Sequence, residues 1–165
     1  MKALKHLLIF TFTLCTIYTF AQPKQILKKY AYSRLVTGGA QMVDENGKEV
    51  NNKQVQYSIF LETTKSFKLN VQNIWINEFS YSVQVIPVKK LPVVIYTSDK
   101  TKKTLVPKTT NKVWQLIVTL DDAQPRPDAA LLKDMQENEV VISIEGYAKR
   151  ILIKKTKELP NLMAE

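Results

Sequence analysis

Hydrophobic and polar residues alternate strictly along much of the chain after residue 54. In "QVQYSIFLET", residues 54–63, one phase contains Val55, Tyr57, Ile59 and Leu61. The same two-residue period recurs at residues 79–87, 113–120 and 139–145, in "FSYSVQVIP", "VWQLIVTL" and "EVVISIE". Successive side chains of a strand point to opposite faces, so this period predicts strands with one buried face.

Further elements follow from weaker patterns. Four more strands are predicted at residues 29–37, 69–77, 92–97 and 149–156. The apolar phase changes near Gln72–Asn73, which predicts a β-bulge or a strand buried on both faces. Asn77–Glu78 and Ala148–Lys149 are predicted hairpin turns, and residues 127–137 predict a short helix capped by Asp128.

Short strands joined by short turns, without internal repeats or a low-complexity linker, indicate one all-β domain. We expect a single antiparallel β-sandwich of about seven to nine strands with an immunoglobulin-like architecture. The Cys…Trp…Cys spacing of true immunoglobulin domains is absent from the sequence. A small β-barrel is the alternative fold.

The N-terminal stretch has the pattern of a secretory signal. Lys2 and Lys5 precede an uncharged run from residue 7 to residue 20, which is shorter than a membrane-spanning helix. We predict cleavage between Ala21 and Gln22, with residues 1–21 as signal peptide and 22–165 as the exported domain, in the periplasm or at the cell exterior. A retained anchor, or a lipid on Cys15, is the alternative. No stable transmembrane segment is predicted after the signal.

The predicted cleavage also removes the only histidine, His6, and the only cysteine, Cys15. A chain without imidazole or thiol cannot form a Ser-His-Asp triad, a Cys-His pair, a disulfide or the common zinc sites. We therefore predict a non-enzymatic domain with no catalytic residue, no metal site and no cofactor.

Three stretches, "QYSIFLETT", "NIWINEFSYSVQVIPV" and "NKVWQLIV", resemble those of small exported β-rich proteins of Gram-negative bacteria that carry no assigned activity. The resemblance covers about half of the chain and rests on strand pattern. It implies a β-rich fold and an exported location, and it transfers no functional residue.

The chain has a formal net charge of +9. Part of this charge lies in one run of basic residues that we take as a candidate binding site: Lys100, Lys102, Lys103, Lys108 and Lys112. Such a surface attracts anionic polymers. The competing interpretation is that these lysines protect sheet edges and keep the protein soluble. Trp75 and Trp114 are expected in the core, with stacking on sugars or bases as the alternative.

Acidic residues gather in the segment that contains Asp121, Asp122, Asp128, Asp134, Glu137 and Glu139. A solvated loop is the expected structure there, although two converging carboxylates could hydrolyse a glycosidic bond. Residues 44–49 match ordinary turn chemistry better than a calcium loop.

These observations favour an exported, non-catalytic binding or assembly module of the cell envelope, whose partner is an anionic polymer or another envelope protein. A carboxylate-based glycoside hydrolase and a small barrel that carries an apolar ligand are the alternatives.

Overall fold

The computed structural model describes residues 25–37, 42–43, 45–46, 49–50, 53–97, 100–121, 123–147 and 149–160. The predicted signal peptide, its cleavage site at Ala21–Gln22, and both His6 and Cys15 lie outside these residues. Within the described part of the chain, no helix has the length and apolar character needed to cross a membrane.

The described residues form twelve strands and one short helix, which confirms the all-β prediction. The strands are β1 (Ile26–Thr37), β2 (Met42–Val43), β3 (Glu49–Val50), β4 (Lys53–Thr63), β5 (Val71–Ile76), β6 (Phe79–Pro87), β7 (Val93–Tyr96), β8 (Lys102–Val106), β9 (Lys112–Leu120), β10 (Val140–Ile144), β11 (Ile151–Ile153) and β12 (Lys157–Glu158). Helix α1 covers Ala129–Asp134.

Eight of these strands form one sheet in the order β11-β10-β5-β6-β9-β4-β1-β12. Neighbouring strands are antiparallel except for β1 and β12, which run parallel. The sheet curls until its two ends approach each other, and the Lys29 ammonium of β1 donates a 2.7 Å hydrogen bond to the carbonyl oxygen of Leu152 on β11. β1 therefore has β4 along one edge and the end of the curled sheet beside its other edge.

The main core lies on the inner face of the curled sheet. It contains alternate apolar residues of β1, β4, β5, β9, β10 and β11, including Ala31, Ile59, Ile74, Leu116, Ile142 and Ile153. The segment between β4 and β5 contributes Leu69 to this core. Next to it, the Phe67 ring meets that of Tyr147 edge-on, with 6.3 Å between the ring centroids. Residues 64–70 thus close one end of the curled sheet.

The β7–β8 hairpin forms a second, two-stranded sheet on the outer face of β1, β4 and β9. A separate core cluster between the two layers contains Tyr32, Phe60, Leu105, Val106, Val113 and Leu159. The hydroxyl of Tyr32 donates a 2.6 Å hydrogen bond to the carbonyl oxygen of Leu105, which fixes the hairpin to β1. The two packed layers are compatible with the predicted sandwich.

Several predicted local features are present. The β5–β10 register shifts so that Gln72 has no ladder partner on β10, which confirms the predicted bulge. Asn77 adopts φ = 53° in the β5–β6 turn, where a short polar side chain tolerates left-handed backbone. Asp128 caps α1 by accepting a 2.7 Å hydrogen bond from the amide of Leu131.

Two turn predictions are tested in part. Between β10 and β11 the chain turns at Glu145–Gly146, where Gly146 has φ = 71°, so the turn begins before the predicted position and Ala148 lies outside the described residues. In the 44–49 segment, Glu45 and Asn46 form a turn between β2 and β3, as expected of a hairpin. Asp44 and Gly47, which the calcium alternative needs, lie outside the described residues.

Candidate functional site

Strands β4 and β9 separate at the end of the curled sheet opposite residues 64–70. Their ladder pairs Ile59–Thr63 of β4 with Lys112–Leu116 of β9 and extends no further among the described residues. Beyond it, β4 stays paired with β1, and β9 stays paired with β6. Two strand pairs therefore diverge, and residues 54–58 and 117–120 face each other without pairing with one another.

A groove of about 680 Å³ occupies the opening between the diverging strands. Its lining comes from both strand pairs: Val36, Gln54, Val55, Gln56, Tyr57, Asn77, Phe79, Tyr81, Val118, Thr119 and Leu120. This volume lies within the range of 300–1,000 Å³ or so that is usual for ligand sites in proteins.

The rim of the groove is apolar and open to solvent. Val55, Phe79 and Leu120 are 51%, 50% and 53% exposed. Each lies in the inner-facing phase of its strand, because a residue two positions away, Tyr57, Tyr81 or Val118, packs against the main core. On each of these three strands the apolar alternation continues beyond the last residue that packs in the core. The additional apolar side chains form the rim.

Two tyrosines form the inner wall. The rings of Tyr57 and Tyr81 meet edge-on, with centroids 6.0 Å apart. Burial, followed by the neighbouring Tyr57, raises the pKa of Tyr81 to about 12, and burial also raises the pKa of Tyr57. Both phenols therefore stay neutral at physiological pH. Every described residue that lines the groove is uncharged, in a chain of which 24% is charged.

Phe79 also borders a second depression of about 490 Å³, whose other lining residues belong to the β5–β6 turn, to α1 and to the segment after α1. Leu132 and Met135, on and just after α1, supply its apolar wall, and Leu132 is 40% exposed. The exposed apolar surface thus continues from the groove across Phe79 towards α1. Apolar patches that span several elements are typical of interaction sites.

A buried acid lies on the opposite, outer face of β4. The Glu62 carboxylate is 1% exposed and accepts hydrogen bonds from Thr109 at 2.8 Å, Asn111 at 2.6 Å and the Tyr30 hydroxyl at 3.2 Å. Lys28 lies 3.8 Å away. Both carboxylate oxygens accept hydrogen bonds from the protein. We therefore interpret this cluster as the attachment of the segment before β9 to the sheet, and not as a ligand site.

Opposing effects set the pKa of Glu62. Burial raises it, whereas the hydrogen bonds from Asn111 and Thr109, the charge of Lys28 and the bond from Tyr30 together lower it below its ordinary value. The carboxyl is therefore ionised at neutral pH. Burial and the adjacent Glu62 charge raise the pKa of Tyr30 to about 12.

The structure separates the five candidate lysines into two groups. Lys100, Lys102 and Lys103 lie at the turn end of the β7–β8 hairpin, where Lys103 donates a 3.3 Å bond to the carbonyl oxygen of Glu158. Lys108 and Lys112 lie beyond the other end of β8, about 17 Å away for a five-residue strand. The ammonium of Lys112 lies 4.0 Å from the ring centroid of Trp114.

Three of the clustered acids have local partners. Asp121 accepts a 3.1 Å bond from the amide of Ala123, and Asp128 caps α1 and pairs with Arg150 at 2.9 Å. Glu139 is buried and accepts a 2.9 Å bond from the amide of Gln136. Asp122 and the side chain of Asp134 lie outside what the structure describes. These three acids thus organise the turns around α1.

The tryptophans belong to the packed interior to different degrees. Trp75 is 6% exposed, and its indole N–H donates a 3.0 Å bond to the carbonyl oxygen of Pro125. Its neighbours Ile74 and Ile76 point into the main core, so this end of β5 is buried on both faces. Trp114 is half-buried, packs against the main core and donates a 3.1 Å bond to Thr63.

Comparison with known proteins finds no matching family model, curated protein or solved structure. The groove between β4 and β9 is the feature that sequence reasoning missed. Its apolar residues on β4, β6 and β9 were each assigned to the apolar face of a strand. The alternation does not indicate where β4 and β9 separate.

Proposed function

We propose that this protein is an exported, non-catalytic binding module of the cell envelope that holds an apolar part of a partner molecule in the groove between β4 and β9. The observation that carries the proposal is the exposed rim of Val55, Phe79 and Leu120 around an uncharged lining. Exposed apolar side chains at the mouth of a concave site lose their contact with water when a ligand binds, which favours association.

The position of the groove suits a binding site. Its inner wall is formed by the Tyr57–Tyr81 pair, which packs on the main core, so the wall is rigid before a ligand arrives. A preformed apolar site spends less of its binding free energy on ordering side chains.

Nile red, a neutral apolar dye, provides the test. Val55 and Leu120 each have about half of their surface left to bury, which is worth about 1 kcal/mol per side chain. Replacing both with serine is expected to weaken dye binding by about thirtyfold. Fluorescence titration of the purified protein measures the effect.

The matched control replaces Leu27 and Leu152 with serine. These residues are 36% and 37% exposed and do not line the groove. The control variant is expected to bind Nile red as the parent does, while circular dichroism confirms that both variants are folded. Equal binding by the groove variant and the parent would contradict the proposed site.

The basic surface supports a second candidate function, the binding of an anionic polymer. Lys100 and Lys102 are exposed at the tip of the β7–β8 hairpin, and Lys157 lies on β12, next to the Glu158 carbonyl that Lys103 contacts. Such a cationic surface would hold a polyanion by long-range attraction and counterion release.

A further inference from the structure

The diverging ends of β4 and β9 present two strand edges that face each other across the groove. Antiparallel ladders use the N–H and C=O groups of alternate residues on each side of a strand. Residues 54–58 of β4 use one side for β1, and residues 117–120 of β9 use one side for β6. The groups on the other sides point into the opening and have no ladder partner among the described residues.

Unpaired edge groups next to an apolar groove define the chemistry of the occupant. A lipid chain or an aromatic molecule would cover the rim but leave the amides and carbonyls of both edges unpaired, at a cost in desolvation. An extended polypeptide supplies a donor and an acceptor to each edge and places alternate side chains on the inner face.

From these two features we propose that the occupant of the groove is an extended, uncharged polypeptide segment of a partner protein, which inserts between β4 and β9 as an additional strand. This inference rests on the proposed function and names the ligand class of the same site. The inserted strand restores a continuous sheet from β6 through β9 to β4 and β1, and its inward side chains contact Val55, Tyr57 and Leu120.

The charge of the site complements a neutral segment. All described lining residues are uncharged, while the chain as a whole contains 24 basic and 15 acidic residues. A charged side chain on the inward face of the inserted strand would lose its hydration against Tyr81 and Val118 without gaining a partner. The partner segment therefore alternates apolar inward residues with small polar outward residues.

The test uses a seven-residue peptide of alternating threonine and valine, acetylated and amidated, added to the purified protein. We expect it to displace Nile red. On peptide addition, hydrogen exchange is expected to slow at least tenfold at alternate amides within residues 54–58 and 117–120.

Two control peptides carry N-methyl groups, one on every threonine and the other on every valine. Each modification removes the donors along one edge of the peptide and leaves the side chains unchanged. Because both protein edges are used, each methylated peptide is expected to bind at least tenfold more weakly than the parent peptide.

The outcomes separate the two proposals. Equal binding of methylated and unmethylated peptides, or no displacement of Nile red by the peptide, would overturn strand insertion while leaving an apolar groove that binds the dye. If the dye itself binds independently of Val55 and Leu120, both proposals fail. A concentration-dependent dimer that protects the same amides without peptide would show that the two edges pair with a second copy of this chain. That result would overturn the proposal of a segment from a partner protein.

Discussion

At the scale of single residues, Glu62 illustrates what alternation can and cannot predict. The pattern places Glu62 in phase with Phe60, on the face of β4 opposite Ile59 and Leu61. That phase is correct, but the outer face is not open to water there, because the β7–β8 hairpin and residues 107–111 cover it. The bulky Phe60 among polar neighbours was the one local signal that this face is also packed.

The buried carboxylate predicts a pH-dependent contribution to stability. Its folded pKa lies below the ordinary value of 4.5, so the stabilisation is complete above that pH and is lost as the pH falls through the folded pKa. Replacing Glu62 with Gln removes the charge. The amide oxygen can still accept from Thr109 and Asn111, but the NH2 group then takes the place of Oε2 and faces the Tyr30 hydroxyl and the Lys28 ammonium. We expect a loss of about 2 kcal/mol at pH 7 that shrinks below pH 4.5.

Urea denaturation at pH 7 and at successively lower pH measures this difference. The control is Glu137→Gln, an exposed acid in the turn after α1, which is expected to change stability by less than about 0.5 kcal/mol. A Glu62→Gln variant whose deficit stays constant as the medium becomes acidic would show that the charge itself contributes nothing.

At the scale of elements, strands with a clear apolar phase were predictable, and strands held only by their neighbours were not. The predictions for residues 54–63, 79–87 and 139–145 correspond to β4, β6 and β10. In contrast, β8 begins with two lysines, and β12 consists only of Lys157 and Glu158. Both form because a partner strand offers them an edge, and the sequence of an isolated segment does not contain that information.

The β5–β6 turn depends on Asn77, which combines a left-handed backbone with a 2.7 Å bond from the Asn138 amide to its side-chain oxygen. Replacement with Ala incurs the backbone cost and loses the bond, for an expected loss of about 2 kcal/mol. Replacement with Gly keeps the backbone conformation and loses only the bond, so about 1 kcal/mol is expected. Chemical denaturation measures the stability lost by each variant. Equal losses for Ala and Gly would show that the left-handed backbone at residue 77 does not account for the difference.

At the scale of the whole molecule, pairing between distant segments decides the candidate site. The inward phases of β4, β6 and β9 were predictable residue by residue, yet the groove depends on the ladder of β4 and β9 ending at Ile59 and Leu116. Periodicity is the same before and after that point. The position of the opening is therefore a property of how the sheet curls, which emerges only when all eight strands are assembled.

The charge distribution leads to a prediction at the same scale. If the hairpin tip holds anionic polymers, Lys→Glu changes at 100, 102 and 103 are expected to release the protein from heparin at lower salt than the parent. The matched control changes Lys65, Lys68 and Lys90, which are exposed on other loops, and alters the net charge equally. Elution of both variants at the same salt concentration would mean that attraction is spread over the whole surface.

The two edges of β1 become occupied at very different times during synthesis. One edge pairs with β4, which is complete once Thr63 has been made, whereas Tyr32 and Ser33 on the other edge pair with β12 only after Lys157 and Glu158. Until then a twelve-residue strand keeps an open edge that can pair with other chains, and closing it requires a long and slow loop closure. The order of synthesis thus places the completion of this edge after all the other described strands have been made.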